Sequence, residues 1–292
     1  MLKYILLLCG VVVCSGWSSD YYTPSEEVGR KLSQYNSEVD QRFPFEYGLG
    51  HYYQGDIMLV PPKDEKVSIP DTWTTYIWPG GVIPYEITGN FSKQELNTIH
   101  SAMSMFRRYT CVRFVPKTND HELYVTIMNN NTGCFSYIGR QIDNAYNLIN
   151  LQTPQCLAAV GTPVHEMMHA AGFYHEFIRP DRDDYIWINR SALLPELQEE
   201  EIFNENFGKL QPEDAQTYNI PYNYGSVMHY SRYAGAQSND YPVLINKRPW
   251  SGDFGNERGF AASNVMEINY RYRCANTNRI PLPSWSGNVL EP

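Results

Sequence analysis

The stretch His165-Glu166-Met167-Met168-His169-Ala170-Ala171-Gly172-Phe173-Tyr174-His175 constrains the fold more than any other, because its spacing demands a helix that stops at a defined place. Residues four apart project from one face of an α-helix, so His165 and His169 can offer two imidazole nitrogens to one ion from a single rigid rod. Glu166 lies one residue from His165 and three from His169, within reach of a water on such an ion without being a ligand itself. Gly172 ends the helix, since a residue without Cβ enters the left-handed conformation at little cost, and the turn brings back His175. Three neutral imidazoles leave a zinc ion its double positive charge and an open fourth position, where a bound water acquires a pKa of about 7. Thr162 is the expected N-cap and Pro163 the expected first helical residue, placing His165 in the first turn. At ordinary residue usage the pattern arises by chance in a chain of this length on the order of once in 10⁵. His165, His169 and His175 are therefore the candidate metal ligands, Glu166 is the candidate general base, and the cofactor is one Zn2+ per chain.

The same pattern marks the metzincin zinc peptidases. Their second mark is a Met-turn, and Ser226-Val227-Met228-His229-Tyr230 supplies one. Together with His175-Glu176 and Arg179-Pro180-Asp181-Arg182-Asp183, these residues make the chain resemble the astacin family from about Trp78 to Cys274. The resemblance implies an α+β, zincin-like metzincin fold, with a mixed twisted sheet and two long helices above a zinc cleft and a loop-rich lower subdomain. It also implies a zinc metalloendopeptidase that hydrolyses internal bonds of extended protein or peptide substrates through a zinc-bound water activated by Glu166. Tyr230 matches the family tyrosine that is a fifth zinc ligand at rest and swings away to donate a hydrogen bond to the developing oxyanion. Met228 is expected beneath the histidines as an apolar floor. Glu176 matches the glutamate near which the family buries its new N-terminus after an activating protease has cut the chain. A buried carboxylate needs a partner, and on this reading Glu176 has none until the cut. Asn223 stands where astacins usually have Asp.

The first residues carry Lys3 and then a short apolar run through Val13, which fits a secretory signal peptide, with cleavage after Gly16 or Ser18. The expected organisation is signal peptide 1–18, propeptide 19–68, astacin-like catalytic domain 69–275 and C-terminal tail 276–292. A net charge of −9 without any basic run argues against a nucleic-acid partner. No later stretch is apolar enough to span a bilayer, so the processed protein is expected to be secreted and extracellular, free of the membrane. Cys9 and Cys14 would leave with the leader. Cys111, Cys134, Cys156 and Cys274 then allow three pairings, and spacing selects none. The resemblance implies Cys111 with Cys274 and Cys134 with Cys156, bridges that need an oxidising compartment. Asn90, Asn130 and Asn189 open glycosylation sequons, which gain meaning from the secretory reading.

Residues 19–68 are polar, with Pro61-Pro62 and Lys63-Asp64-Glu65-Lys66 near their end, and read as a detachable or weakly structured region and a linker. Within them Tyr53-Gln54-Gly55-Asp56-Ile57 resembles the astacin propeptide motif, with Tyr where the family usually has Phe. The match implies that Asp56 sits on the zinc and blocks the water position. Trp78-Pro79-Gly80-Gly81-Val82-Ile83-Pro84-Tyr85 matches the opening of the family's catalytic domain and puts the mature N-terminus near Ile69.

Ser92-Lys93-Gln94-Glu95 is a capping box, and Leu96, Ile99, Met103 and Phe106 follow at helical spacing, which predicts an amphipathic helix over 93–109. Residues 111–115 and 123–128 read as strands. Cys134-Phe135-Ser136-Tyr137-Ile138-Gly139 matches the metzincin edge strand over the cleft, whose open edge could pair with an extended peptide. Phe135, which replaces the family's usual Trp, Ser136 and Tyr137 are thus candidate substrate-binding residues. Beyond His175 the chain is expected to be loop-rich, with the charges of 179–184 in structural ion pairs. A competing reading is a secreted binding protein that keeps a metal site without turnover. The intact Glu166 argues against it, because structural zinc sites are usually closed by a fourth protein ligand and need no base.

Overall fold

The computed structural model describes residues 19–61 and 76–275. The expected leader, the charged linker with the cut near Ile69, and the tail 276–292 lie outside the described residues.

In chain order the regular elements begin with α1 (Glu26–Leu32), β1 (Ile57–Met58), β2 (Val82–Ile87), α2 (Lys93–Tyr109), β3 (Arg113–Pro116), β4 (Val125–Met128), β5 (Cys134–Tyr137) and β6 (Leu148–Leu151). They continue with α3 (Gly161–Ala170), β7 (Ile186–Ile188), α4 (Glu200–Phe207), β8 (Leu244–Asn246) and α5 (Ala262–Arg271). The fold is α+β. A six-stranded sheet runs in the order β1-β5-β6-β4-β2-β3. Neighbours among β2, β3, β4 and β6 pair in parallel, β5 is antiparallel to β6, and β1 is parallel to β5. Helices α2 and α3 pack on this sheet and on each other. Past His175 the chain forms short 3-10 turns, α4, α5 and the small antiparallel pair β7-β8.

α2 starts where its side chains dictate. Ser92 Oγ accepts from Glu95 N at 3.3 Å, and Glu95 Oε2 accepts from Ser92 N at 2.7 Å. Ile99, Ala102, Met103, Met105 and Phe106 form its buried face. α3 starts two residues before the expected position. Its N-cap is Val160, Pro163 is its third residue, and His165 lies in the second turn, not the first. The cause is a tertiary contact: Gly161 N donates to Glu257 O at 2.8 Å, so close that a Cβ there would meet Glu257 at 2.4 Å. The other end follows the expectation, with Gly172 at φ +97 and its N–H on His169 O. Carbonyls left free by that stop are taken up from elsewhere. Trp78 Nε1 donates to Ala170 O at 2.9 Å and the Tyr272 hydroxyl to Ala171 O at 2.8 Å.

Two disulfides close the body, Cys111–Cys274 over 163 residues and Cys134–Cys156 over 22. On the chain-entropy model they stabilise by roughly 5 and 3 kcal/mol. The strands read over 111–115 and 123–128 begin later, at Arg113 and Val125. Cys111 N is directed to Cys274 Sγ, and Tyr124 N to Asn144 Oδ1, so neither N–H is available to a ladder.

Residues 19–61 are not weakly structured. Tyr21, Val28, Leu32, Phe45, Tyr52 and Ile57 are all fully buried. α1 lies so close to the loop before β5 that a Cβ on Gly29 would meet Asn131 O at 1.9 Å. Nor is the edge of β5 open. β1 pairs with it through Ile57 opposite Ser136 and Met58 opposite Tyr137, and Phe135, Ser136 and Tyr137 are buried.

Candidate metal centre

The Nε2 atoms of His165, His169 and His175 converge, at 3.1 Å between His165 and His169 and 3.2 Å for the other two pairs. α3 supplies the first two and the turn at Gly172 the third. Each ring is oriented by its outer nitrogen. His165 Nδ1 lies 2.7 Å from Val227 O, His169 Nδ1 2.7 Å from Phe173 O, and His175 Nδ1 2.9 Å from Gln54 Oε1. An oxygen at each Nδ1 calls for the proton there, so each neutral ring aims an Nε2 lone pair at the other two. Burial drives the pKa of His165 down, and that of His175 to about 3, favouring this neutral ligand form.

Asp56 enters the same cluster from the N-terminal segment. Its Oδ2 lies 2.9 Å from His165 Nε2, its Oδ1 lies 3.2 Å from His175 Nε2, and Oδ1 has no hydrogen-bond donor among the described residues. Three lone pairs and a carboxylate packed this closely repel one another unless a cation lies among them. Zinc bonds of about 2.0–2.1 Å in a tetrahedron separate ligand atoms by about 3.3–3.4 Å, close to the spacing of the nitrogens. His165, His169, His175 and Asp56 therefore fit a zinc ion, and all four donor atoms lie within 4.8 Å of one another.

Glu166 is the exception in this site. It is fully buried, and neither carboxylate oxygen has a partner among the described residues. Burial first, and the negative charge of Asp56 second, push its pKa well above the usual value.

The Met-turn backs the cluster. Val227 O holds His165, Met228 O accepts from Glu176 N at 2.8 Å, and Asn264 of α5 pins the turn through Val227 N and Ser226 Oγ. The Met228 side chain is buried. Tyr230 is buried too, its ring 4.4 Å from Phe177 and 4.7 Å from His175, and its hydroxyl donates to the carbonyl of Gln54. Behind it, His229 bridges Tyr222 Oη, at 2.6 Å, and Tyr230 O, at 2.7 Å.

Glu176 is buried but not without a partner, which corrects the expectation. Its Oε1 accepts from Arg179 Nη1 at 3.2 Å and from Asn223 N at 2.9 Å. With Glu267, Arg179 and Arg271 it lines a cavity beside His175. Burial raises the pKa of Glu176, and burial with the neighbouring Glu176 charge pushes Glu267 up to about 8.

Several residues at the site escape a reading of the sequence. Phe45 stacks on His165 with ring centroids 3.8 Å apart. Glu46 accepts from Ser231 N at 2.5 Å and Ser231 Oγ at 2.8 Å, while burial pushes its pKa up to about 8. Gln54 touches both His175 and Tyr230. The Gly55-Asp56 pair marks the neighbourhood of Gln54, but nothing local marks Phe45, Glu46 or Glu267.

A fold that hangs three imidazoles on one helix and the turn that ends it, over a Met-turn, defines a metzincin-type zinc site. The sequence pattern of the Astacin peptidase family matches residues 71–273, and the chain belongs to that family. It is 33% identical over 204 residues to zinc metalloproteinase nas-14 of Caenorhabditis elegans, covering 70% of this chain and 38% of that protein. It is 31% identical over 207 residues to bone morphogenetic protein 1 of Xenopus laevis, covering 68% of this chain and 27% of the relative. The chain thus spans less than two thirds of the length of these relatives. Among solved structures it is similar to high choriolytic enzyme 1, a hatching-enzyme zinc protease of the medaka Oryzias latipes. That match has a TM-score of 0.60 at 31% identity and covers 70% of this chain and 98% of that one. No helix among the described residues is long and apolar enough to cross a membrane.

Proposed function

We propose that this protein is a secreted zinc-dependent endopeptidase made as a zymogen, holding one zinc ion per chain and cutting internal peptide bonds of extended protein substrates. Glu166 carries the reading. A fully buried carboxylate without a partner costs free energy that nothing in the packing returns, whereas a proton-transfer group must be left untied. When bound, zinc supplies a Lewis acid that polarises the scissile carbonyl and brings a water towards a pKa of about 7. Glu166 takes the proton of the attacking water and delivers it to the leaving amine. Tyr230, once released from Gln54, donates to the developing oxyanion, a contribution of about 3–4 kcal/mol. Phe135, Ser136 and Tyr137, once β1 has left, offer the edge of β5 to the substrate main chain.

In the uncut chain Asp56 fills the position that the water needs, and β1 fills the edge that the substrate needs. A cut near Ile69 by an activating protease would separate propeptide 19–68 from catalytic domain 69–275. The new α-amino group would then enter the cavity of Glu176 and Glu267, where a cation relieves the crowding of the two neighbouring acids. Two disulfides suit an oxidising compartment, and Asn90 and Asn130 are exposed enough to carry glycans. The test is digestion of casein or gelatin by the cut protein, with and without a zinc chelator, alongside Glu166→Ala. Loss of activity in both is the expected result, and activity surviving either treatment overturns the mechanism.

A further inference from the structure

The three histidines are not supported alike. His165 and His169 are oriented by main-chain carbonyls of Val227 and Phe173, which belong to the body itself. His175 is oriented by a side chain of the N-terminal segment, Gln54, whose Oε1 lies 2.9 Å from Nδ1. Gln54 is buried, and its side-chain oxygen faces His175. Its backbone is left-handed, at φ +51, followed by Gly55 at φ +92. Non-glycine residues held there are found where the surroundings over-determine the conformation, as at ligand clamps. This kink turns the Gln54 side chain to His175 and its carbonyl to Tyr230, and brings Asp56 among the imidazoles.

A hydrogen bond to the outer nitrogen of a metal-bound histidine fixes the tautomer and raises the basicity of the ligand. We propose that Gln54 is a positioning residue for metal retention, so that the uncut chain holds zinc more tightly than the cut one and is the form that acquires it. The proposal rests on the zinc reading above. Cutting removes one ligand, Asp56, and the outer support of another, His175, in a single event.

The test is equilibrium competition for zinc between the full uncut chain and a chromophoric chelator, with the melting temperature of each metal-free variant measured beside it. Gln54→Gly suits the left-handed backbone, keeps the carbonyl that holds Tyr230 and removes the side chain whose oxygen faces His175. It is expected to weaken zinc binding by about 10- to 100-fold. Gln54→Glu restores an acceptor for Nδ1–H and is expected to stay within about threefold of the parent. Binding by Gln54→Gly equal to the parent overturns the proposal alone, as does Gln54→Glu binding no better than Gln54→Gly. A parent chain that takes up no zinc overturns both the proposal and the zinc reading beneath it.

Discussion

The body, residues 76–275, and the N-terminal segment, residues 19–61, are ordered by different means. The body supplies five of the six strands of the main sheet, both disulfides and most of the core, from Trp78 to Ile268. Its helix ends are closed by its own residues, as Trp78 and Tyr272 close α3. The segment has a helix of seven residues and a strand of two. Neither length is stable alone, so its order comes from docking. Its apolar anchors Phe45 and Tyr52 lie against the body, and its polar groups Glu46, Gln54 and Asp56 reach into the site. The difference teaches what the segment is shaped to do. It answers the imidazoles, the outer nitrogen of His175 and the hydroxyl of Tyr230, and leaves Glu166 unanswered.

The contrast can be broken from either side. On the body, Glu166→Ala in the cut protein should lower the rate on casein by about 10²- to 10⁴-fold while zinc content stays unchanged. On the segment, Asp56→Ala in the uncut chain removes the carboxylate that lies among the three histidines. Combined with Phe45→Ala, which loosens the segment that carries β1, it should let casein turnover appear without any cut, and an uncut double variant as silent as its parent would refute the lock. Phe45→Ala should weaken docking by about 3 kcal/mol. Hydrogen exchange would read this as faster exchange across α1 and β1 with no change in β2, β4 and β6.

The smallest effect is a pH dependence. The pKa of Glu46 is about 8 in the folded chain against an ordinary 4.5, so between these values the folded state binds a proton that the unfolded state does not. Its contribution is present below the lower value and lost as pH rises through the upper one, at about 1 kcal/mol between pH 6.5 and 7.5. Glu267, also near 8, has the same sign. The informative quantity is therefore the difference in slope between the parent and Glu46→Gln, and parallel slopes would leave Glu46 without a part in the pH dependence.

What is legible in the sequence is what neighbouring residues decide. The start of α2 can be read because Ser92 and Glu95 encode it, and the histidine cluster can be read because helix spacing joins His165 to His169 and the turn at Gly172 returns His175. The start of α3 cannot, since it depends on Glu257, distant in sequence. β3 and β4 begin later than their residue types suggest for a similar reason, through Cys274 and Asn144. Residues 19–61 read as loose because Tyr21, Val28, Phe45 and Tyr52 follow no helical or strand period. Their burial is created by the surface they meet. Gln54 and Phe45 gain their roles only once that docking has set them beside His175 and His165.

The lock on a loaded metal centre is tested most directly by measuring zinc content and casein turnover on one preparation before and after proteolytic removal of the N-terminal segment. Zinc in both states and turnover only after the cut is the expected result. Full turnover in the uncut chain, or zinc retained after the cut with no turnover on any protein substrate, would contradict it.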